Sequence, residues 1–279
     1  MRSGCNEIGK CNGNTDTQDK ECAGDSGSGK GCIRVVGLGP GDECLLAPQA
    51  RQAIAGSDVL VGYTGYVELV PQELLAGREV LSTGMMAEVE RCRKAVEAAR
   101  AGRNVVMVCS GDPGIYAMAG LVMELLEAGG LFDQVDFEVI PGIPAFSAAA
   151  ALLGAPLMHD FASVSLSDLL TPWEKIVKRL EAAVSADFVV AIYNPRSKKR
   201  SGHLSDALEI MGRYRGPETP VGIVNRAYRD GQKVQVVTLG AVDESDVDMQ
   251  TVLIIGNSST RTAGGKMLTP RGYANKYDI

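Results

Sequence analysis

From Ile33 onward, apolar and polar positions group into blocks that predict strands and helices in turn. Ile33 to Leu38 is a short apolar run ending in glycines, the pattern of a strand buried on both faces. Leu45 to Ala55 predicts a helix, and Asp58 to Gly62 a second strand. Within Ala87 to Ala101, Val89, Cys92, Val96 and Ala99 recur at helical spacing and form one apolar stripe. Asn104 to Cys109 predicts a strand, Tyr116 to Ala128 a helix ended by Gly129 and Gly130, and Val135 to Ile140 another strand. This rhythm predicts a mostly parallel sheet with helices on its faces.

A second set follows. Phe146 to Leu153 predicts an Ala-rich helix, Ser163 to Ser167 a strand, and Trp173 to Val184 an amphipathic helix. Asp187 to Ile192, Val221 to Val224, Val234 to Leu239 and Thr251 to Gly256 predict strands, and His203 to Tyr214 a helix. Asp230-Gly231 is a hairpin signal. The first 31 residues, rich in Gly, Asn, Asp, Ser and Lys, offer too little apolar surface to offset the entropy of ordering. The expected organisation is a flexible Cys-containing tail over 1–31, an N-terminal α/β domain over 32–155 and a C-terminal α/β domain over 156–279.

Composition acts mainly by exclusion. With 45% apolar and 22% charged residues, the 279-residue chain reads as an ordinary soluble protein. A net charge of −6 argues against a nucleic-acid partner, since phosphate contacts demand excess Lys and Arg. No apolar run reaches the roughly 18 residues of a membrane span, and the N-terminus has no secretory apolar region. The cytoplasm is the expected location.

Candidate chemistry sits at the ends of strands, where open α/β sheets bind ligands. Gly37-Leu38-Gly39-Pro40-Gly41-Asp42 follows the first strand but departs from a dinucleotide fingerprint, with Asp42 at the last glycine position. Ser110-Gly111-Asp112-Pro113-Gly114-Ile115 follows a second strand; Asp112 suits either a ligand amine or hydroxyl, or a helix cap before Pro113. Pro141-Gly142-Ile143-Pro144-Ala145 follows a third. Tyr193-Asn194-Pro195-Arg196-Ser197-Lys198-Lys199-Arg200 follows a fourth and is the densest basic cluster, fit to recruit an anion or simply to face solvent. Two histidines give little support to a His-based metal site. Cys5, Cys11, Cys22 and Cys32 fall in or beside the tail at spacings that match no standard zinc or ferredoxin pattern. Four thiols can still wrap an iron–sulfur cluster or another soft metal, and a metal-free tail is the plain alternative.

Taken in this order, the four loops resemble the tetrapyrrole (corrin/porphyrin) methylase superfamily. Gly62-Tyr63 with Tyr66, Ser82-Thr83-Gly84-Met85, Leu157 to Phe161 and Ser165 to Trp173 are most similar to the members acting at carbon 17. The resemblance implies two α/β domains with S-adenosylmethionine in the cleft between them, and a homodimer. It implies methylation of precorrin-3B or cobalt-factor III at carbon 17 with ring contraction, giving precorrin-4 or cobalt-precorrin-4 in cobalamin biosynthesis. Family cofactor contacts carry over to Pro40, Ser110, Gly111, Asp112, Ile115, Pro144, Ala145, Asn194 and Ala227. For the anionic macrocycle, Arg196, Lys198, Lys199 and Arg200 are candidates for its carboxylates, Tyr66 and Met85 for its face. His159, Asp42 and Tyr63 are candidate bases; Tyr63 stands where uroporphyrinogen methylases carry Asp. The alternatives are a pathway methylase acting at another carbon, a dinucleotide-dependent oxidoreductase, and a metal-binding or regulatory protein on a retired enzyme fold.

Overall fold

Strand β1 (Gly31–Gly37) is buried along nearly its whole length because helices cover both faces of its sheet. The structure, a computed structural model, describes residues 29–197 and 202–278. After β1 come α1 (Pro48–Ala55), β2 (Val59–Tyr63), α2 (Thr64–Val67), β3 (Glu79–Thr83) and α3 (Glu88–Arg100). Next are β4 (Asn104–Cys109), α4 (Ala119–Ala128) and β5 (Val135–Ile140). These five strands form one sheet in the order β3-β2-β4-β1-β5, parallel throughout. Side chains alternate along each strand. Ile33 and Val35 pack with Cys92, Val96 and Val122 of α3 and α4, while Val36 packs with Ala50 and Ile54 of α1. Each fully buried Val, Leu or Ile contributes about 1.5–3 kcal/mol relative to exposure.

The chain continues through α5 (Ala145–Leu153), β6 (Gly154–Ala155), β7 (Phe161–Ser165), α6 (Trp173–Ser185), β8 (Val189–Tyr193) and α7 (His203–Gly212). It ends with β9 (Pro220–Asn225), β10 (Lys233–Thr238), β11 (Thr251–Ile255), β12 (Arg261–Ala263) and β13 (Lys266–Leu268). The second sheet runs β10-β9-β11-β8-β7. Here β7 and β8 are parallel, while the β8–β11, β11–β9 and β9–β10 pairs are antiparallel. The parallel arrangement expected of the first half therefore does not extend to the second. Helices α6 and α7 cover one face; α5 and Met267 of β13 cover the other. Thus α5, which precedes the expected division at 155/156, packs on the second sheet.

Three local expectations change. The segment Tyr116–Met118 is not helical: Tyr116 has φ 53°, and α4 starts only at Ala119. On α3, Val89 is exposed and Arg91 is buried in its place. Cys32, the candidate metal ligand beside the tail, is buried in β1, and burial pushes its thiol up, which disfavours the thiolate a metal needs. Cys5, Cys11 and Cys22 lie outside the described residues. Among the described residues no group of three or more His, Cys, Asp or Glu is placed to hold a metal, and no helix is long and apolar enough to cross a membrane.

Candidate functional site

The sheet order makes β4, β1 and β5 neighbours, so the loops at their carboxyl ends lie side by side. They touch through backbone. The Gly39 amide donates to the Gly111 carbonyl at 3.1 Å, and the Gly111 amide donates back to Gly39 at 2.7 Å. A Cβ on Gly37 would lie 2.6 Å from the Gly111 oxygen and from the Gly142 nitrogen, so only glycine fits between these loops. Asp112 joins the second loop to the third. One carboxylate oxygen accepts from the Gly114 amide at 2.8 Å, the other from the Gly142 amide at 3.2 Å. The helix-cap reading of Asp112 does not apply, because α4 begins seven positions later; its carboxylate staples two loops instead.

A cavity of about 430 Å³ opens over these loops, within the range of small-molecule sites. Its first wall carries Pro40, Ser110, Gly111, Asp112 and Ile115. Pro144 and Ala145 continue that wall into α5, while Asn194 and Ala227 come from the ends of β8 and β9. All nine residues expected at a cofactor thus meet in one cavity. Tyr63, Tyr66 and Met85 line it as well. The Tyr63 and Tyr66 rings meet edge to face at 5.1 Å, and burial raises the Tyr66 phenol above its ordinary pKa. Tyr193 accepts from the Phe146 amide at 2.9 Å at the start of α5, and burial pushes its phenol up to about 12.

Backbone strain gathers here. Tyr116, Asn194 and Arg226 line the cavity with φ of 53°, 51° and 50°, in the left-handed region that non-glycine residues avoid. The Asn194 side chain donates to Ser165 Oγ at 2.9 Å, which holds its turn.

Other expected site residues lie elsewhere. Asp42 accepts from the Cys44 amide and caps the short 3₁₀ turn that follows it, outside the cavity. His159 and Asp160 belong to a separate depression with Asp187, Asn257 and Arg271. His159 Nδ1 accepts from the Asp160 amide at 2.8 Å. Neither Asp42 nor His159 lines the cavity. Arg196 does not line it either; its guanidinium donates to the Glu244 carbonyl. Lys198, Lys199 and Arg200 lie outside the described residues.

Several cavity residues escaped sequence reasoning, Arg91, Arg229 and Glu88 among them. Arg91, 4% exposed, donates from Nε to Thr83 Oγ1 at 2.8 Å and from Nη2 to the Gly84 carbonyl at 2.9 Å. Its guanidinium lies 5.9 Å from the Tyr63 ring centre, a cation–π geometry. Arg229, from the β9–β10 connection, reaches the loops after β1 and β4 and donates to the Pro40 carbonyl and the Ser110 hydroxyl. Burial lowers its pKa, with the Tyr66 phenol opposing. Glu88 stands one turn before Arg91. No signal in the sequence marks them: an Arg inside an amphipathic helix, or after a turn, reads as solvent-facing.

Comparison with known proteins adds five matches. Residues 33–243 match the family described as Tetrapyrrole (Corrin/Porphyrin) Methylases. A "Probable cobalt-factor III C(17)-methyltransferase" of Salmonella typhimurium is 47% identical over 86% of this chain and 99% of its own length. A "Cobalt-factor III methyltransferase" of Priestia megaterium is 48% identical over 90% of this chain, which spans only 46% of that longer protein. Among solved structures, the methyltransferase CobJ superposes with TM-score 0.82 at 40% identity, covering 86% of this chain and all of that one. A Thermus thermophilus uroporphyrin-III C-methyl transferase complexed with S-adenyl homocysteine gives TM-score 0.62 at 26% identity, over 81% of this chain and 97% of that one.

Proposed function

Because this chain belongs to the tetrapyrrole (corrin/porphyrin) methylases, we propose that it moves one methyl group from S-adenosylmethionine to carbon 17 of precorrin-3B or cobalt-factor III, with ring contraction, in cobalamin biosynthesis. The observation that carries the reading is the convergence of four strand-end loops from both domains on one cavity. S-adenosylmethionine fits this donor set. Interlocked glycine backbones, a Ser110 hydroxyl and a carboxylate fixed by two amides offer polar contacts in a rigid frame. The residues that would hold it are Pro40, Ser110, Gly111, Asp112, Ile115, Pro144, Ala145, Asn194 and Ala227.

The sulfonium donor brings an already activated methyl, so the protein's part is placement and exclusion of water. The stapled loops fix one partner, and the Tyr63–Tyr66 pair with Met85 offers an apolar face for the other. Ring contraction needs a proton removed from a macrocycle hydroxyl. Of the three candidate bases, only Tyr63 lines the cavity, and Glu88, which lines it too, is a second choice. The homodimer and the cytoplasmic location are parts of the reading that rest on family likeness. Anaerobic incubation with S-adenosylmethionine and each macrocycle, followed by mass spectrometry, tests the proposal. One added methyl per macrocycle is expected. NADH binding in place of S-adenosylhomocysteine would return the oxidoreductase alternative.

A further inference from the structure

Arg91 and Arg229 stand on different elements of the two domains, yet both line the same cavity. Among the described residues, every hydrogen-bond acceptor of either guanidinium is neutral: a threonine hydroxyl, a serine hydroxyl, two backbone carbonyls and, at 4.0 Å from Arg91, the Met118 sulfur. Among the described residues, neither makes an ion pair with a carboxylate. Arg226 adds a third guanidinium to the lining, and its Nε donates to the Gln250 side-chain oxygen at 2.6 Å. Two acids share the cavity. Both Asp112 oxygens already accept backbone amides, and Glu88 makes no ion pair with Arg91. Elsewhere in the molecule the buried guanidinium of Arg215 does have a carboxylate, that of Asp187 at 3.1 Å.

Taking a guanidinium out of water without a counter-charge is costly, and it is tolerated where a ligand supplies the missing charge. Arg also presents a planar fork that matches a carboxylate with two parallel hydrogen bonds. We propose that Arg91 and Arg229 are the carboxylate receptors of this cavity, gripping an anionic ligand from opposite domains. The inference deepens the methylase reading and rests on it. It moves carboxylate recognition from the basic loop at 196–200 to one buried and one half-buried guanidinium. Two molecules in the proposed reaction carry carboxylates, the amino-acid end of the cofactor and the acetate and propionate arms of the macrocycle, and the test separates them.

The probes are S-adenosylhomocysteine, by calorimetry, and uroporphyrin compared with its fully methyl-esterified form, by fluorescence. Wild type should bind the polyacid more tightly than the ester. Arg229→Met and Arg91→Met should each weaken a carboxylate ligand roughly ten- to a hundredfold, the range for a charged hydrogen bond. Loss for uroporphyrin but not for the ester, with S-adenosylhomocysteine unchanged, supports the macrocycle as the source. Loss for S-adenosylhomocysteine supports the cofactor. Arg91→Lys and Arg229→Lys keep the charge without the fork and should recover part of the loss; they serve if a Met variant does not fold. A wild type that fails to prefer acid over ester, with S-adenosylhomocysteine affinity equal in all variants, overturns the proposal. Absence of S-adenosylhomocysteine binding in wild type would instead strike the methylase reading itself.

Discussion

The Asp112 carboxylate accepts the Gly142 amide at 3.2 Å across 30 positions of sequence, and so locks the β4 loop against the β5 loop. Asp112→Ala strands that amide and the Gly114 amide together. The expected cost is about 1–3 kcal/mol, read as a lower urea midpoint with unchanged slope. S-adenosylhomocysteine binding should weaken in parallel. Unchanged stability and affinity would show that the staple is dispensable.

Gly142→Ala should be worse than its size suggests. The new Cβ would fall 2.2 Å from the Gly111 carbonyl oxygen and 2.8 Å from Gly37, and backbone cannot swing aside. A loss of about 1–3 kcal/mol is expected, with weaker cofactor binding. Gly120→Ala is the control: it sits on α4 with nothing within 4 Å of its Cβ, and should gain up to about 1 kcal/mol.

His159→Ala should leave kcat and KM close to wild type, because His159 lies in a depression lined by none of the cavity residues. Tyr63→Phe should slow turnover while S-adenosylhomocysteine still binds. A large kcat loss in His159→Ala alone would restore the histidine as base.

Stability should fall on the alkaline side. Burial pushes the Cys92 thiol up to about 12 and the Cys109 thiol up to about 11, from an ordinary 9.0. Since the folded pKa exceeds the unfolded one, the unfolded chain loses its protons first. The thiols' contribution is therefore complete below pH 9 and drains away as pH rises toward 11 and 12. Urea midpoints measured from pH 8 to pH 11 should decline, and less steeply in Cys92→Ala. The same burial should shield both thiols from iodoacetamide at neutral pH.

What the sequence disclosed follows from what burial leaves in a one-dimensional pattern. Strands β1 and β4 lie at the centre of a sheet covered on both faces, so they appear as apolar runs. Edge strand β3 is half exposed, and nothing in Glu79–Thr83 sets it apart from a loop. Strands β12 and β13 are three residues each, too short to show a period. The cavity loops were legible because each directly follows a strand. Arg91 and Arg229 were not, since their burial comes from tertiary neighbours distant in sequence. The two bonds of Arg229 to Pro40 and Ser110 span 189 and 119 positions.

Where one methyl group goes on the macrocycle decides the proposed reaction. Cobalt-factor III or precorrin-3B, incubated without oxygen with S-adenosylmethionine labelled with ¹³C at its methyl, should give a product whose carbon NMR spectrum places a single labelled methyl group on carbon 17 of a contracted ring. A label on any other carbon, an uncontracted ring, or no transfer to either macrocycle would contradict it.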